Sequence, residues 1–201
     1  MIRCVAFDLD GVVLPSAPSF EFFAREHGIT RAHWEELFWC EPYVRATYGE
    51  GDLHELLPPF VARWGWRGSP SDFAESWFAS CRAIDPEVAS LIARLRAAGI
   101  DCVAASNQEK RRAQDLDSHP PLRELFSERF FSCHLGSVKP EAAYYRAIER
   151  ATACAPRELL FLDDKAANVD GARACGWRAE VAASAEAVRD ALAAHLPHAL
   201  G

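Results

Sequence analysis

The chain has 201 residues, half of them apolar and a quarter charged, with a formal net charge of −7. That length suits one large domain, or one domain carrying an insert. The longest apolar runs are four residues, far short of the about 20 that a membrane-spanning helix needs, and the acidic balance argues against nucleic acid as the main partner.

Seven cysteines are scattered from Cys4 to Cys175 with no C-x-x-C pair, so zinc-ribbon and thioredoxin-like readings have no support. Asp8 interrupts the N-terminal stretch before an apolar secretory core of about 7–15 residues can form. The expectation is a cytoplasmic protein with reduced thiols, monomeric or homodimeric. Lys110-Arg111-Arg112 is the one run of three cations.

In chain order, Arg3–Asp8 is short and apolar and ends in acid, the pattern of a buried strand. From Pro15 to Asp85 the readable patterns are helical and rich in aromatics. Phe20, Phe23, Ala24 and His27 share one face, and Trp34, Leu37 and Phe38 form another stripe. Asp52 suits the cap of a helix bearing Leu53, Leu56 and Leu57, which Pro58-Pro59 should break or kink. Ser71 suits the cap of a helix bearing Phe73, Ala74, Trp77 and Phe78.

After Pro86 the pattern alternates. Val88, Leu91, Ile92 and Leu95 mark a helix that Gly99 ends. Asp101–Ala105 reads as a strand, as does Arg129–Cys133. Then come a helix over Glu141–Thr152, a strand over Glu158–Leu162 and a helix over Lys165–Ala174 with Gly176 behind it. Arg178–Val181 is a last strand and Ala185–His195 a last helix. Alternation of this kind predicts an α/β fold with a parallel sheet. The expected architecture is a Rossmann-like open parallel sheet core, residues 1–14 and 86–201, with an inserted all-helical cap at 15–85.

In open parallel sheets ligands bind outside the carboxyl ends of the strands. At those ends lie Asp8 and Asp10, Ser106 and Asn107, and Asp163 and Asp164, with Lys139 six residues beyond a fourth strand. Each piece alone has a plainer reading: Asp8-x-Asp10-Gly11 as a turn, Asp163-Asp164 as a helix cap, Ser106-Asn107 as a helix start. Together, four carboxylates in one crevice repel. A divalent cation and one lysine would cancel three negative charges and leave the fourth acid to hold a proton. Mg²⁺ suits an all-oxygen site that also accepts phosphate.

These residues carry a family likeness. Phe7-Asp8-Leu9-Asp10-Gly11-Val12, Ala105-Ser106-Asn107, Val138-Lys139-Pro140-Glu141 with Tyr145, and Phe161-Leu162-Asp163-Asp164 with Asn168, Gly171-Ala172-Arg173 and Gly176 resemble, in order, the four motifs of haloacid dehalogenase superfamily hydrolases. The last stretch is similar to the phosphatase domain of soluble epoxide hydrolases, and the layout to glucose-1-phosphate-type phosphatases.

The resemblance implies Mg²⁺-dependent hydrolysis of a small-molecule phosphate ester through an aspartyl-phosphate on Asp8. Asp10 would be the acid and base, its main-chain carbonyl facing the metal. Ser106, Asn107 and Lys139 would meet the phosphoryl group. Asp8 and Asp164 would bind the metal, with Asp163 and Asn168 holding its waters. Relatives that displace halide lack the second aspartate, so Asp10 favours phosphate esters. A phosphomutase of the same family, or a phospho-accepting or interaction module without turnover, are the alternatives. Trp34, Trp39, Tyr43, Arg45, Tyr48 and His54 are the cap candidates for lining a substrate pocket.

Overall fold

The computed structural model describes residues 1–15 and 17–200; Ser16, within the expected 15–85 insert, and Gly201 lie outside it. After β1 (Cys4–Phe7) come five helices: α1 (Ala17–His27), α2 (Arg31–Phe38), α3 (Glu41–Thr47), α4 (Leu53–Arg63) and α5 (Pro70–Ser80). The alternating part follows with α6 (Pro86–Ala97), β2 (Asp101–Ser106), α7 (Lys110–Asp117), α8 (Pro120–Leu125), β3 (Glu128–Phe131), α9 (Ser132–Leu135) and α10 (Ala142–Thr152). It ends with β4 (Leu159–Asp163), α11 (Ala166–Ala174), β5 (Arg178–Val181), α12 (Ala185–His195) and α13 (Pro197–Leu200).

The five strands form one parallel sheet in the order β3-β2-β1-β4-β5. Successive residues of a strand face opposite sides, and the core divides accordingly. Val5, Phe7, Cys102, Ala104, Leu160 and Leu162 pack on one face with α6 and α12. Cys4, Ala6, Val103, Ala105, Leu159 and Phe161 pack on the other with α10 and α11. The chain leaves β1 toward β2 and returns on its other side with β4, so the switch in strand order lies between β1 and β4. A crevice at the carboxyl ends of these two strands follows from that topology.

The five-helix block has its own core. Phe23, Trp34, Leu37, Leu53, Leu57, Phe73 and Trp77 are buried in a cluster distinct from those on the sheet. Phe73 alone meets the rings of Phe23, Trp34, Trp64, Trp66 and Trp77.

Several local expectations change. α5 is capped by Ser69, not Ser71: Ser69 Oγ accepts from Asp72 N–H at 3.1 Å, and the Asp72 carboxylate accepts from Ser69 N–H at 2.8 Å. This is a reciprocal capping box with Pro70 in the first helical position. Pro58 and Pro59 do not break α4, which runs through them. Both are exposed, so water can reach the carbonyls that lose an N–H partner. The third strand stops at Phe131, two residues early, where Ser132 starts a short helical turn. Helix α8 has no counterpart in the sequence reading, and α7 starts at Lys110, later than the alternative helix start at Ser106-Asn107. Glu109 caps α7, its carboxylate accepting from the N–H of Arg111 at 2.8 Å and of Arg112 at 2.6 Å.

Candidate active site

Asp8 follows β1 directly, its N–H still bonded to Leu162 O at 2.9 Å. The chain then turns tightly, Leu9 O accepting from the N–H groups of Val12, Val13 and Leu14. Gly11 in that turn has φ +91°, and a Cβ there would sit 2.8 Å from Asp164 Oδ2. The backbone conformation therefore demands glycine, and the Asp164 side chain just past β4 leaves little room for a Cβ.

Lys139 is the electrostatic centre. Its Nζ is buried and makes three contacts: Asp8 Oδ1 at 2.9 Å, Asp163 Oδ2 at 2.6 Å and Ala105 O at 2.8 Å. Asn107 fixes the Lys139 backbone from both sides, donating to its carbonyl at 3.0 Å and accepting from its N–H at 2.9 Å. The loop packs on α11, where a Cβ at Gly171 would lie 2.7 Å from Pro140. Asp163 accepts from Lys139, Lys165 N–H and Asn168 Nδ2, which occupies both of its oxygens.

Asp164 differs. Its Oδ1 is buried and has no hydrogen-bond partner, a costly state for a carboxylate. Asp8, Asp163 and Asp164 each bring one carboxylate oxygen within 4.8 Å of the others. Three carboxylates face one ammonium, so a net charge of about −2 awaits compensation when all are ionised. An orphaned oxygen in an all-oxygen cluster fits a hard divalent cation. Asp10, also expected at a metal, adds no carboxylate oxygen to this group.

The electrostatics agree. Burial pushes the Asp8 carboxyl up to about 7; Lys139 pulls it down, and the Asp163 and Asp10 charges push it up. Burial also opposes the charged forms of Asp163 and Lys139. Lys139 nevertheless holds Asp163 below the usual carboxylate range, and the two acids hold Lys139 above the usual amine value. Burial raises Asp164.

The Asp10 side chain is half-exposed, with Oδ2 accepting from Gln108 Nε2 at 2.6 Å and Oδ1 3.9 Å from Arg112 Nη2. Ser106 Oγ is buried and also accepts from Gln108 Nε2, at 2.9 Å. Gln108, Glu109, Arg112 and Ser132 are buried polar residues at this edge that sequence reasoning missed. The signal for Gln108 was its position directly after Ser106-Asn107. Arg112 lies in the basic run, but it is buried against Asp115, Phe78 O and Cys81 O. Arg111 grips Asp52 with two bonds. Two of the three cations therefore tie the helical block to the sheet core.

The cap candidates separate. Trp34 is fully buried inside the helical block, and Trp39 is 78% exposed. Arg45 pairs with Glu50, Tyr48 donates to Glu141, and half-buried His54 lies 3.4 Å from Ser71. Tyr43 is buried, and its hydroxyl is held far above its ordinary pKa by burial, with the charges of Glu109 and Asp10 adding to it.

Among the described residues no helix is long and apolar enough to cross a membrane. The haloacid dehalogenase-like hydrolase family model matches residues 2–176. Enolase-phosphatase E1 of Acidiphilium cryptum is 35% identical over 94 residues, which are 45% of this chain and 40% of that protein; the match thus spans less than half of the relative. A haloacid dehalogenase family enzyme of Bacteroides thetaiotaomicron, solved with magnesium and inorganic phosphate, superposes with a TM-score of 0.72 at 19% identity, covering 90% of this chain and 94% of that one. L-2-haloacid dehalogenase of Xanthobacter autotrophicus gives 0.71 at 22% identity, covering 100% and 86%. These two share the fold, whereas the family match extends over nearly the whole chain and takes in the segments that carry Asp8, Ser106, Lys139 and Asp164. The chain belongs to the haloacid dehalogenase-like hydrolases.

Proposed function

We propose that this protein is a Mg²⁺-dependent phosphatase acting on a small-molecule phosphate monoester through an aspartyl-phosphate on Asp8. The observation that carries the reading is the buried array in which Lys139 bridges Asp8 and Asp163 while an Asp164 oxygen beside them has no partner. Asp10 supports ester chemistry over halide displacement, because an alkoxide leaving group needs a proton donor and a halide does not. The enolase-phosphatase relative and the phosphate-bound neighbour point the same way.

In this mechanism an Asp8 carboxylate oxygen attacks phosphorus. As the ester P–O bond breaks, the Asp10 carboxyl gives its proton to the leaving oxygen. Ser106 donates a hydrogen bond to a phosphoryl oxygen, and Lys139 offsets the charge that Asp8 and the phosphoryl group share. Asn107 holds the Lys139 backbone and borders the substrate. In the second step the Asp10 carboxylate takes a proton from water, whose oxygen attacks phosphorus, and inorganic phosphate leaves with Asp8 restored. Asp8, Asp164 and the Asp10 main-chain carbonyl would hold Mg²⁺, with Asp163 and Asn168 holding its waters; when bound, the ion neutralises phosphoryl charge.

The helical segment 15–85 acts as a cap that encloses the substrate and limits water. Its docking contacts include Arg111 with Asp52, Arg112 with Phe78 O, Tyr48 with Glu141, Ser132 Oγ with Thr47 O at 2.6 Å, and Gly49 packed against Cys133 O. A phosphate-release screen over phosphorylated metabolites with Mg²⁺ tests the reading. It requires turnover that Asp8→Asn abolishes. Isomerised phosphate with little free phosphate would indicate a mutase instead.

A further inference from the structure

Gln108 is 3% exposed and sits in the turn between β2 and α7. Its side-chain nitrogen has two N–H groups and two acceptors: Asp10 Oδ2 at 2.6 Å and Ser106 Oγ at 2.9 Å. Asp10 Oδ2 and Ser106 Oγ can each accept, so one amide nitrogen serves both. The backbone that carries the amide is pinned as well. Gln108 N–H donates to Ser132 Oγ at 3.0 Å, and Glu109 caps the helix that follows.

Asp10 has no such enclosure. Its side chain is 44% exposed, and among the described residues its one side-chain hydrogen bond is the one from Gln108. Without that bond, the remaining contact on the carboxyl among the described residues is the Arg112 guanidinium at 3.9 Å, too long to fix its orientation. A carboxyl that must deliver a proton to one particular oxygen loses most of its value when its orientation is free.

We propose that Gln108 is a positioning residue. Its carboxamide clamps the Asp10 carboxyl and the Ser106 hydroxyl at a fixed separation, so that Asp10 meets the leaving oxygen while Ser106 meets the phosphoryl group. One nitrogen occupies one Asp10 oxygen and leaves the other to carry the transferred proton. The proposal rests on the phosphatase reading and assigns a residue that reading does not need.

The test compares phenyl phosphate with 4-nitrophenyl phosphate, which are close in size but differ in how much their leaving groups need a proton. Wild type, Gln108→Met, Gln108→Glu, Asp10→Asn and Asp10→Asn/Gln108→Met are assayed for kcat/KM with saturating Mg²⁺. Loss of a hydrogen bond to a charged group predicts that Gln108→Met lowers kcat/KM for phenyl phosphate about 10- to 100-fold, and for 4-nitrophenyl phosphate at least about tenfold less. The ratio of the two esters should not fall further when Gln108→Met is added to Asp10→Asn. Gln108→Glu keeps the side-chain volume while replacing the donor, and it should shift the ratio in the same direction if the methionine variant does not fold.

An equal loss on both esters, an unchanged ratio in both folded Gln108 variants, or full additivity with Asp10→Asn overturns the proposal. If wild type with Mg²⁺ turns over neither ester, the phosphatase reading falls and takes this proposal with it. If Asp10→Asn separates the esters and the Gln108 variants do not, the phosphatase reading stands and the clamp alone is rejected.

Discussion

Phe73 and Lys139 are both buried, one in the helical block and one at the sheet edge, and their surroundings have almost nothing in common. Phe73 is enclosed by aromatic rings, and Ser19 is the one buried polar residue among the described residues of α1 to α5. The sheet edge instead buries Asp8, Ser106, Gln108, Glu109, Arg112, Ser132, Lys139, Asp163 and Asn168. Burying rings stabilises a fold, whereas burying carboxylates opposes folding unless each finds a partner. The helical block is therefore built for stability, and the sheet edge tolerates instability where chemistry needs it. Truncations in the helical block should cost stability, whereas substitutions at the sheet edge should cost activity, with stability lost there only where a buried charge is left without its partner.

The sharpest form of that split is Asp8→Asn. With Asp8 as the nucleophile of the proposed mechanism, turnover should fall by about 10⁴-fold or more, without loss of stability. The sign follows from Asp8, whose pKa rises on folding to about 7. A raised carboxyl costs stability as pH climbs from its unfolded value toward its folded one. Metal-free Asp8→Asn should therefore match wild type near pH 4 and melt at a higher temperature than wild type at pH 8. A variant that melts lower at pH 8 would mean that Asp8 supports the fold, and the contrast would break.

Lys139→Met should damage both properties, because it leaves two buried carboxylates without their cation. Truncating one partner of a buried pair costs about 3–5 kcal/mol, and phosphate release should be lost with it. Phe73→Ala should cost a similar about 3–5 kcal/mol through the cavity it opens, yet leave the Asp8 and Lys139 geometry in place. Scanning calorimetry and phosphate release on the same samples separate these outcomes. A Phe73→Ala protein that keeps its melting temperature but loses turnover would contradict the division.

The alternation of strands and helices, and the strand ends that carry Asp8, Ser106 and Asp163, were legible because apolar periodicity and terminal acids are local signals. The cap of α5 was legible too, in Ser69-Pro70-Ser71-Asp72, but Ser71 stands closer to the apolar run. The continuity of α4 through Pro58-Pro59 was not, since whether a lost N–H matters depends on which side of the helix meets water. Gln108 and Arg112 were hidden for another reason. Neither has a spacing rule, and each acquires its meaning only when the fold brings it against Asp10, Gln108 from the β2–α7 turn and Arg112 from α7.

A smaller effect concerns the cation site. On the proposed reading Mg²⁺ would bind the folded chain by way of Asp164, whose Oδ1 lacks a partner, and it should then raise stability by about 2.7 kcal/mol at a hundredfold excess over Kd. Thermal melts with and without chelator measure this. Asp164→Ala should abolish the Mg²⁺-dependent shift and leave the metal-free melting temperature unchanged or higher. A full shift in Asp164→Ala would move the ion elsewhere and remove the sheet edge from its role.

The smallest effect reads the two regions through their thiols. Burial raises the Cys4 thiol above its ordinary value, Cys102 to about 12 and Cys133 to about 11. Only the thiolate reacts, so at pH 8 these groups should resist an aromatic disulfide reagent until the chain unfolds. Cys40, Cys81 and Cys175 are half-buried, and burial also raises Cys81 and Cys175. Cys81 packs against the helical cluster, whereas Cys102 belongs to the sheet core. Phe73→Ala should therefore speed Cys81 while Cys102 keeps its native rate. Equal acceleration at both would mean that the two cores unfold as one unit, and the helical block would then have no stability of its own to lose.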